Sequence, residues 1–283
     1  MKPDEQDGRR KDLVNSFWTR IRFCLSVCAD FFGKAAIITE LESRKLHHDF
    51  YDIFTRAVQP ILWLVIFGGV LGRLRVIPTG NLPYIDFMTP GILAQSVLFI
   101  SIFYGISVIW ERDLGVLHKL LVSPTYRASL VLGKAVAASE RALTQAGVVY
   151  LLALLLGVNL NWNPLAILTV VFIIILGSAL FSTFSLIIAC LVKTRERFMG
   201  MGQVLTNPLF FASNAIYPIS MMPDWLQVIS RFNPLTYEVD ALRSLMIIGG
   251  PSSFGPAIDA AVLLMSIVIL LTIASRIYPR IVT

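Results

Sequence analysis

Long apolar stretches separated by short charged segments dominate the chain. No Asp, Glu, Lys or Arg occurs over residues 87–110, 142–192 or 198–223, which are 24, 51 and 26 residues long. A helix that crosses a bilayer needs about 20 mostly apolar residues. The 51-residue stretch is long enough for two such helices, with a turn at residues 157–164. This pattern predicts an all-α, polytopic membrane protein.

Six transmembrane helices are predicted, and together they make up a domain over residues 57–276. The spans are placed at about residues 57–71, 87–110, 130–156, 165–192, 198–217 and 257–275. Residues 277–283 follow as a short tail.

The segments outside the spans are amphipathic. Within residues 1–56, apolar residues recur every three to four positions from Leu13 to Phe32 with charged residues between them. This period predicts an interfacial helix in a cytoplasmic N-terminal extension. Residues 222–256 are amphipathic and interrupted by proline, which predicts a re-entrant outer segment, tolerated only where protein surrounds its broken backbone.

The distribution of Lys and Arg near the span ends predicts the orientation of the chain. Thirteen of these residues lie on one side, and four (Arg73, Arg75, Arg231 and Arg243) lie on the other. Because positive charge accumulates on the cytoplasmic side, both termini are predicted to be cytoplasmic. We expect a multi-pass protein of the cell inner (plasma) membrane.

The composition agrees with a membrane protein and excludes several other classes. The chain is 56% hydrophobic and 15% charged, with a mean hydropathy of +0.72, whereas soluble domains are roughly 25% charged. The basic residues behind its net charge of +6 lie near the span ends, where lipid headgroups are expected. We therefore predict contact with membrane lipid and not with nucleic acid. The three cysteines are too scattered for a disulfide framework or a zinc site.

Catalytic and metal-binding patterns are weak in this sequence. The Gly133-Lys134 pair resembles the end of a nucleotide-binding loop, but neither the earlier glycine nor the following Ser or Thr is present. His47, His48, Asp49 and Asp52 include metal-ligand residue types, although the polar face of an interfacial helix produces the same pattern. We predict no cofactor, no metal and a non-catalytic chain, with a membrane enzyme that uses the two histidines as an alternative.

Acidic residues that could couple transport to an ion gradient are also few. Glu140 and Asp259 are the only ones close to the interior of a predicted span, and both lie near a span end. Transporters driven by ions usually keep such a residue deep in the membrane. A secondary carrier or channel that needs no ATPase is the alternative from another functional class, and the shortage of such residues counts against it.

The cytoplasmic loop over residues 111–127 has the features of a docking element. Leu114, Leu117, Leu120 and Leu121 fall on one face of a short helix that Pro124 ends. An apolar stripe of this kind suits a groove on a partner protein, and lying on the bilayer is the alternative.

Two separated segments resemble the permease subunits of type-2 ATP-binding-cassette (ABC) exporters. The first is E-R-x-x-G-x-x-x-x-L-L-x-x-P-x-x-R from Glu111 to Arg127, followed by Gly133-Lys134. The second is a C-terminal signature, here Thr206, Leu209, Ala212, Ser213, Ala215, Met222, Pro223, Pro234, Leu235, Tyr237 and Arg243. The similarity covers about residues 45–278 and is closest to daunorubicin-resistance-type drug exporters.

The resemblance implies a function and a set of partners. Two permease copies as a homodimer, or alternatively two similar permeases, would associate with cytoplasmic ABC ATPase subunits and export a hydrophobic drug-like or lipid-like molecule. A lipid-linked glycan or lipo-oligosaccharide is the alternative cargo.

The resemblance also implies three groups of site residues. The cytoplasmic coupling helix would use Glu111, Arg112, Leu114, Gly115, Leu117, Leu120, Leu121, Pro124 and Arg127 for ATPase coupling. The candidate translocation path comprises Phe99, Phe103, Asn207, Phe210, Phe211 and Asn214. The outer signature segment comprises Pro223, Pro234, Tyr237 and Arg243.

Overall fold

The structure, a computed structural model, describes residues 33–34, 36–37, 39–40, 50–74, 77–80, 82–115, 127–192 and 194–277. These residues contain helices and no strand, which confirms the predicted all-helical class for this part of the chain. The α-helices are α1 (Phe50–Ile61), α2 (Gly69–Leu74), α3 (Tyr84–Tyr104), α4 (Ile106–Asp113), α5 (Arg127–Leu155), α6 (Pro164–Leu191), α7 (Arg195–Phe211), α8 (Asp224–Phe232), α9 (Pro234–Met246) and α10 (Pro256–Ile277). A π-helix (Leu62–Gly68) joins α1 to α2.

Four helical segments in the described residues are long and apolar enough to cross a membrane. They are Thr55–Leu74, Tyr84–Asp113, Pro164–Leu191 and Pro256–Ile277. The predicted third span falls on α5, which contains Lys134, Glu140 and Arg141. The predicted fifth span falls mainly on α7, which is 17 residues long. The charges and the short length separate these two helices from the other four.

The core of the protein is built around α3. Almost every residue of α3 is buried, because α5, α6, α9 and the π-helix all pack against it. By contrast, the first and last candidate spans expose most of their apolar residues. Their outer faces therefore suit contact with lipid or with another chain.

Asn-Pro pairs begin two of the core helices. The Asn163 side chain accepts a hydrogen bond from the Leu165 amide at 3.0 Å, with Pro164 as the first residue of α6. An asparagine cap followed by proline is a favourable helix start, since the side chain satisfies one free N–H and proline lacks another. The second pair starts α9 and is described with the outer segment below.

A proline in the first candidate span is compensated by a side chain from another helix. Pro60 lies within α1 and has no N–H, so the Arg56 carbonyl four residues earlier loses its helical donor. Gln145 Nε2 of α5 donates to this carbonyl at 3.3 Å. The adjoining π-helix shows that the regular hydrogen-bond ladder is interrupted here.

Glycines allow close helix packing at two positions in the core. A Cβ at Gly91 of α3 would lie 2.7 Å from the Ala215 Cα. A Cβ at Gly177 of α6 would overlap the Glu238 carboxyl group, which is fully buried and forms no hydrogen bond with the described part of the chain. Small residues therefore set the distances from α3 and α6 to their neighbours.

The predicted interfacial helix of the N-terminal extension lies mostly outside the described residues, as do His47, His48 and Asp49. The described part of this segment contacts α5, because the Thr39 hydroxyl donates to the Gly133 carbonyl at 3.2 Å.

Candidate functional site

A buried ion pair joins the end of α4 to the start of α5, at the base of the predicted coupling loop. Lys134 Nζ donates to Glu111 Oε2 at 2.7 Å. Both residues are buried, with 1% of Lys134 and 8% of Glu111 exposed. A buried charge is strongly destabilising without its partner, so this pair fixes the position of α4 relative to α5.

A second, more exposed set of charges joins α4 to α6 and α7. Arg112 Nη1 donates to the Val192 carbonyl at 3.3 Å, just after α6. Asp113 accepts from Arg112 at 3.2 Å and from Arg195 of α7 at 3.0 Å. The Arg195 guanidinium carbon also lies 3.6 Å from the centre of the Trp110 ring. The loop therefore begins on a support built from four helices.

The structure describes the residues on either side of the predicted coupling helix. Gly115 has a φ of +71° and donates to the Arg112 carbonyl at 3.0 Å, which ends α4 as glycine commonly does. Leu114 is 72% exposed, so the first leucine of the apolar stripe is accessible to a partner. Arg127 is the first residue of α5. Leu117, Leu120, Leu121 and Pro124 lie outside the described residues.

Two of the candidate path residues share a cavity. The Phe99 and Phe103 rings are neighbours, with centroids 5.9 Å apart. They line a cavity of about 330 Å³ together with polar side chains that include Arg56 and Gln145. This cavity lies between α1, α3 and α5, so it combines an aromatic wall with polar groups.

The other candidate path residues are placed elsewhere. Phe210 is buried with its ring edge-on to Trp63 at 5.5 Å, and Asn207 is partly buried on α7. Phe211 lines a groove of about 710 Å³, whereas Asn214 lines a separate cavity of about 270 Å³. A single chain therefore does not bring the six residues into one passage.

The groove beside Phe211 lies between α7 and α8. It is lined almost entirely by apolar residues, including Trp225, Val228 and Phe232. These three side chains are also exposed. The structure thus presents a wide apolar surface on the predicted outer side of the chain.

The outer signature segment folds as two helices joined at Asn233. Pro223 precedes α8, and Pro234 is the first residue of α9. The Asn233 side chain accepts from the Leu235 amide at 3.0 Å and donates to the Leu209 carbonyl at 2.6 Å. The Tyr237 hydroxyl donates to the Arg231 carbonyl at 2.7 Å. The segment that the prolines interrupt thus folds into an exposed helix, α8, and a buried helix, α9.

Replacing Asn233 with Ala is expected to lower the free energy of unfolding by about 2 kcal/mol. The change removes a helix cap, typically worth about 1 kcal/mol, and leaves the buried Leu209 carbonyl without its donor. Thermal unfolding of the detergent-solubilised protein measures the effect. Asn233→Asp retains the cap oxygen but turns the donor into a second acceptor that faces the Leu209 carbonyl, so its unfolding midpoint should also fall below that of the wild type. Equal midpoints for all three proteins would contradict the assigned roles.

Arg243 connects α9 to two other parts of the core. Its Nε donates to the Phe87 carbonyl at 3.2 Å, and its Nη2 donates to the Asn214 carbonyl at 2.7 Å. The guanidinium carbon lies 3.8 Å from the centre of the Phe87 ring. Two predicted site residues from different groups, Asn214 and Arg243, are thereby in direct contact.

Sequence reasoning did not identify the roles of Lys134 and Asn233. The only signal for Lys134 was the Gly133-Lys134 pair at the end of the cytoplasmic motif, and the only signal for Asn233 was its place before a proline. Neither pattern indicates which distant group the side chain contacts.

Comparisons with known proteins identify related transport proteins. The family model described as "ABC-2 type transporter" matches residues 36–247. The "Putative transport permease ycf38" of Cyanophora paradoxa is 34% identical over 191 residues, which cover 66% of this chain and 65% of that protein.

Two relatives from bacteria have other descriptions. The "Daunorubicin resistance ABC transporter permease protein DrrB1" of Streptomyces coeruleorubidus is 24% identical over 189 residues, covering 67% of this chain and 66% of that protein. The "Nodulation protein J" of Rhizobium leguminosarum bv. trifolii is 27% identical over 192 residues, covering 67% and 71%. The matches thus span about two thirds of these relatives' lengths. With this family match over most of its length and its apolar helices, the chain belongs to the ABC-2 type transporter family.

Proposed function

We propose that this chain is the non-catalytic permease subunit of an ABC exporter that moves a hydrophobic drug-like or lipid-like molecule out of the cell. A separate cytoplasmic ATPase subunit supplies the energy. The observation that supports this most directly is the base of the cytoplasmic loop, where a buried ion pair and a charged network join α4 to α5, α6 and α7. A displacement of the loop would therefore be transmitted to α4, α5, α6 and α7 together.

The membrane arrangement in this proposal has six spans with both termini in the cytoplasm of the inner membrane. The four apolar helical segments provide four of the spans, and α5 and α7 provide the third and fifth. Lys134 is compatible with a spanning α5, because its charge is paired within the protein.

A second copy of the chain completes the transport path in this proposal. The candidate path residues line separate cavities in one chain, so a continuous passage requires another surface. The large apolar linings suit a hydrophobic or amphiphilic cargo, and a lipid-linked glycan is the alternative cargo.

Changing Leu117 and Leu120 together to Asp is expected to abolish coupling. Charges in an apolar docking stripe should weaken ATPase binding by more than about tenfold, as losses at the centre of an interface commonly do. The measurement uses inside-out vesicles that contain the permease and its cognate ABC ATPase, with daunorubicin fluorescence quenching as the readout of ATP-dependent uptake. Ile248→Asp is the matched control, since Ile248 is 62% exposed in the loop after α9, on the predicted outer side.

The outcomes separate the alternatives. Wild-type and Ile248→Asp vesicles should accumulate daunorubicin with ATP, and the double variant should not. Uptake by the permease alone, driven by an ion gradient, would indicate a secondary carrier. ATPase stimulation without daunorubicin uptake would favour the glycan cargo, and normal coupling by the double variant would contradict the docking role.

A further inference from the structure

A small cavity on the predicted outer side brings together polar groups that no other role explains. It lies between the loop that precedes α3, the turn that follows α7 and the loop that follows α9, and its volume is about 270 Å³. We name it the Arg243 cavity. Its polar lining includes Thr79, Asn214, Arg243 and Ser253.

Arg243 is buried in this lining and retains an unused donor. Only 2% of the residue is exposed. Nε and Nη2 donate to backbone carbonyls, but Nη1 has no hydrogen-bond partner among the described residues, and no carboxylate there forms an ion pair with the guanidinium. A buried cation of this kind calls for a compensating group.

Asn214 supplies a second unsatisfied group to the same cavity. The residue is 1% exposed, and neither its amide nitrogen nor its amide oxygen has a hydrogen-bond partner among the residues that the structure describes. Leaving buried polar atoms unpaired costs about 1–3 kcal/mol per group. Such atoms are rare in folded proteins, and one explanation is a ligand or ion that supplies the missing bonds.

Two acidic residues close in sequence to Arg243 or to its partner Phe87 are already engaged. Asp86 accepts from Asn159 Nδ2 at 2.9 Å. Asp240, one turn before Arg243, accepts from the Ser252 hydroxyl at 2.8 Å and from the Ser253 and Phe254 amides at 2.9 and 3.0 Å. Asp240 therefore offsets the Arg243 charge only from a distance, and the guanidinium edge stays available.

We propose that the Arg243 cavity binds a phosphate group, carried by a lipid headgroup or present as free inorganic phosphate. The arginine Nη1 and the asparagine Nδ2 are two donors for phosphate oxygens, and a guanidinium is the preferred partner of such anions. The cavity holds far more than the roughly 30 Å³ of one water molecule. Pro218 and Ile219 in its lining provide apolar contacts for the glycerol region of a lipid.

The test measures binding to the purified, delipidated full-length chain in detergent, with the thermal unfolding midpoint as the readout. The probes are inorganic phosphate, dioctanoyl phosphatidylglycerol and dioctanoylglycerol, which has the same tails without the phosphate. Asn214→Asp is the diagnostic variant, because it retains the backbone carbonyl that Arg243 uses and places a carboxylate beside the guanidinium. Arg231→Gln is the matched control, since Arg231 is an exposed cation on the same predicted side.

A phosphate-bearing probe should raise the midpoint of the wild type and of Arg231→Gln. It should bind Asn214→Asp at least about tenfold more weakly, as expected for the loss of a charge-assisted bond. Stabilisation by inorganic phosphate indicates a free-anion site, and stabilisation by the phosphatidylglycerol alone indicates a headgroup site. The proposal is overturned if no probe binds, if dioctanoylglycerol acts equally well, or if both variants bind alike. The result does not depend on ATPase coupling, because no ATPase is present.

Discussion

Replacing Lys134 with Met is expected to lower the free energy of unfolding by about 3–5 kcal/mol. The change removes the ammonium group 2.7 Å from Glu111 and so takes a charged hydrogen-bond donor away from a buried carboxylate. Breaking one side of a buried ion pair typically costs this amount, because the remaining charge has already lost its hydration. Thermal unfolding of the detergent-solubilised protein gives the measurement.

A double variant separates the burial of a charge from the loss of packing. Glu111→Leu combined with Lys134→Met removes both charges of this pair, and such replacements are often neutral or stabilising. Its unfolding midpoint should therefore return most of the way to the wild-type value. The control is Arg197→Met, since Arg197 is an exposed cation on α7 and surface changes usually stay within about 0.5 kcal/mol. A single Lys134→Met variant as stable as this control would show that the ion pair is unimportant for stability.

The same double variant also tests the proposed function. If the ion pair only stabilises the fold, the double variant should transport normally once its stability is restored. If the pair transmits movement from the cytoplasmic loop, the double variant should bind the ATPase and hydrolyse ATP while exporting less cargo per ATP. This difference is measurable in the same inside-out vesicles.

Replacing Gly177 with Ala is expected to destabilise the core. The new Cβ would overlap the Glu238 carboxyl group, and that group is fully buried, so it would have to move within the packed interior. Overpacking in a tight core costs about 1–3 kcal/mol and at times more. The unfolding midpoint measures the loss.

A second change should rescue this variant. Gly177→Ala combined with Glu238→Ala removes the overlapping atoms, so the pair should be more stable than Gly177→Ala alone. Gly147→Ala is the matched control, because a Cβ at Gly147 of α5 meets no atom within 4 Å. There the substitution should raise stability slightly, by about 0.5–1 kcal/mol, through its higher helix propensity. Similar effects at positions 147 and 177 would refute the packing argument.

Much of the helical layout could be predicted from the sequence, because apolar stretches and Asn-Pro pairs are local signals. The turn before α6 illustrates this, since Asn163 and Pro164 form the cap that their order predicts. The end of α4 at Gly115 is similar. In each case the structure depends on residues that are neighbours in the chain.

The partners of buried charges could not be predicted, because they depend on how distant helices cross. Lys134 meets a residue 23 positions away, and Arg243 reaches a carbonyl 156 positions away. Sequence reasoning on one chain also could not test whether the six candidate path residues line a single passage. Phe99 and Phe211 line different cavities, and joining them through a second copy is part of the proposed function.

The proline in the first candidate span has a consequence for movement. The Arg56 carbonyl that Pro60 leaves without a donor is bonded by Gln145 of α5, so one helix depends on its neighbour for a main-chain bond. Sliding or turning of α1 along α5 would break the bond that replaces the one Pro60 removes. The two helices are therefore expected to travel as a single rigid body when the transporter changes shape.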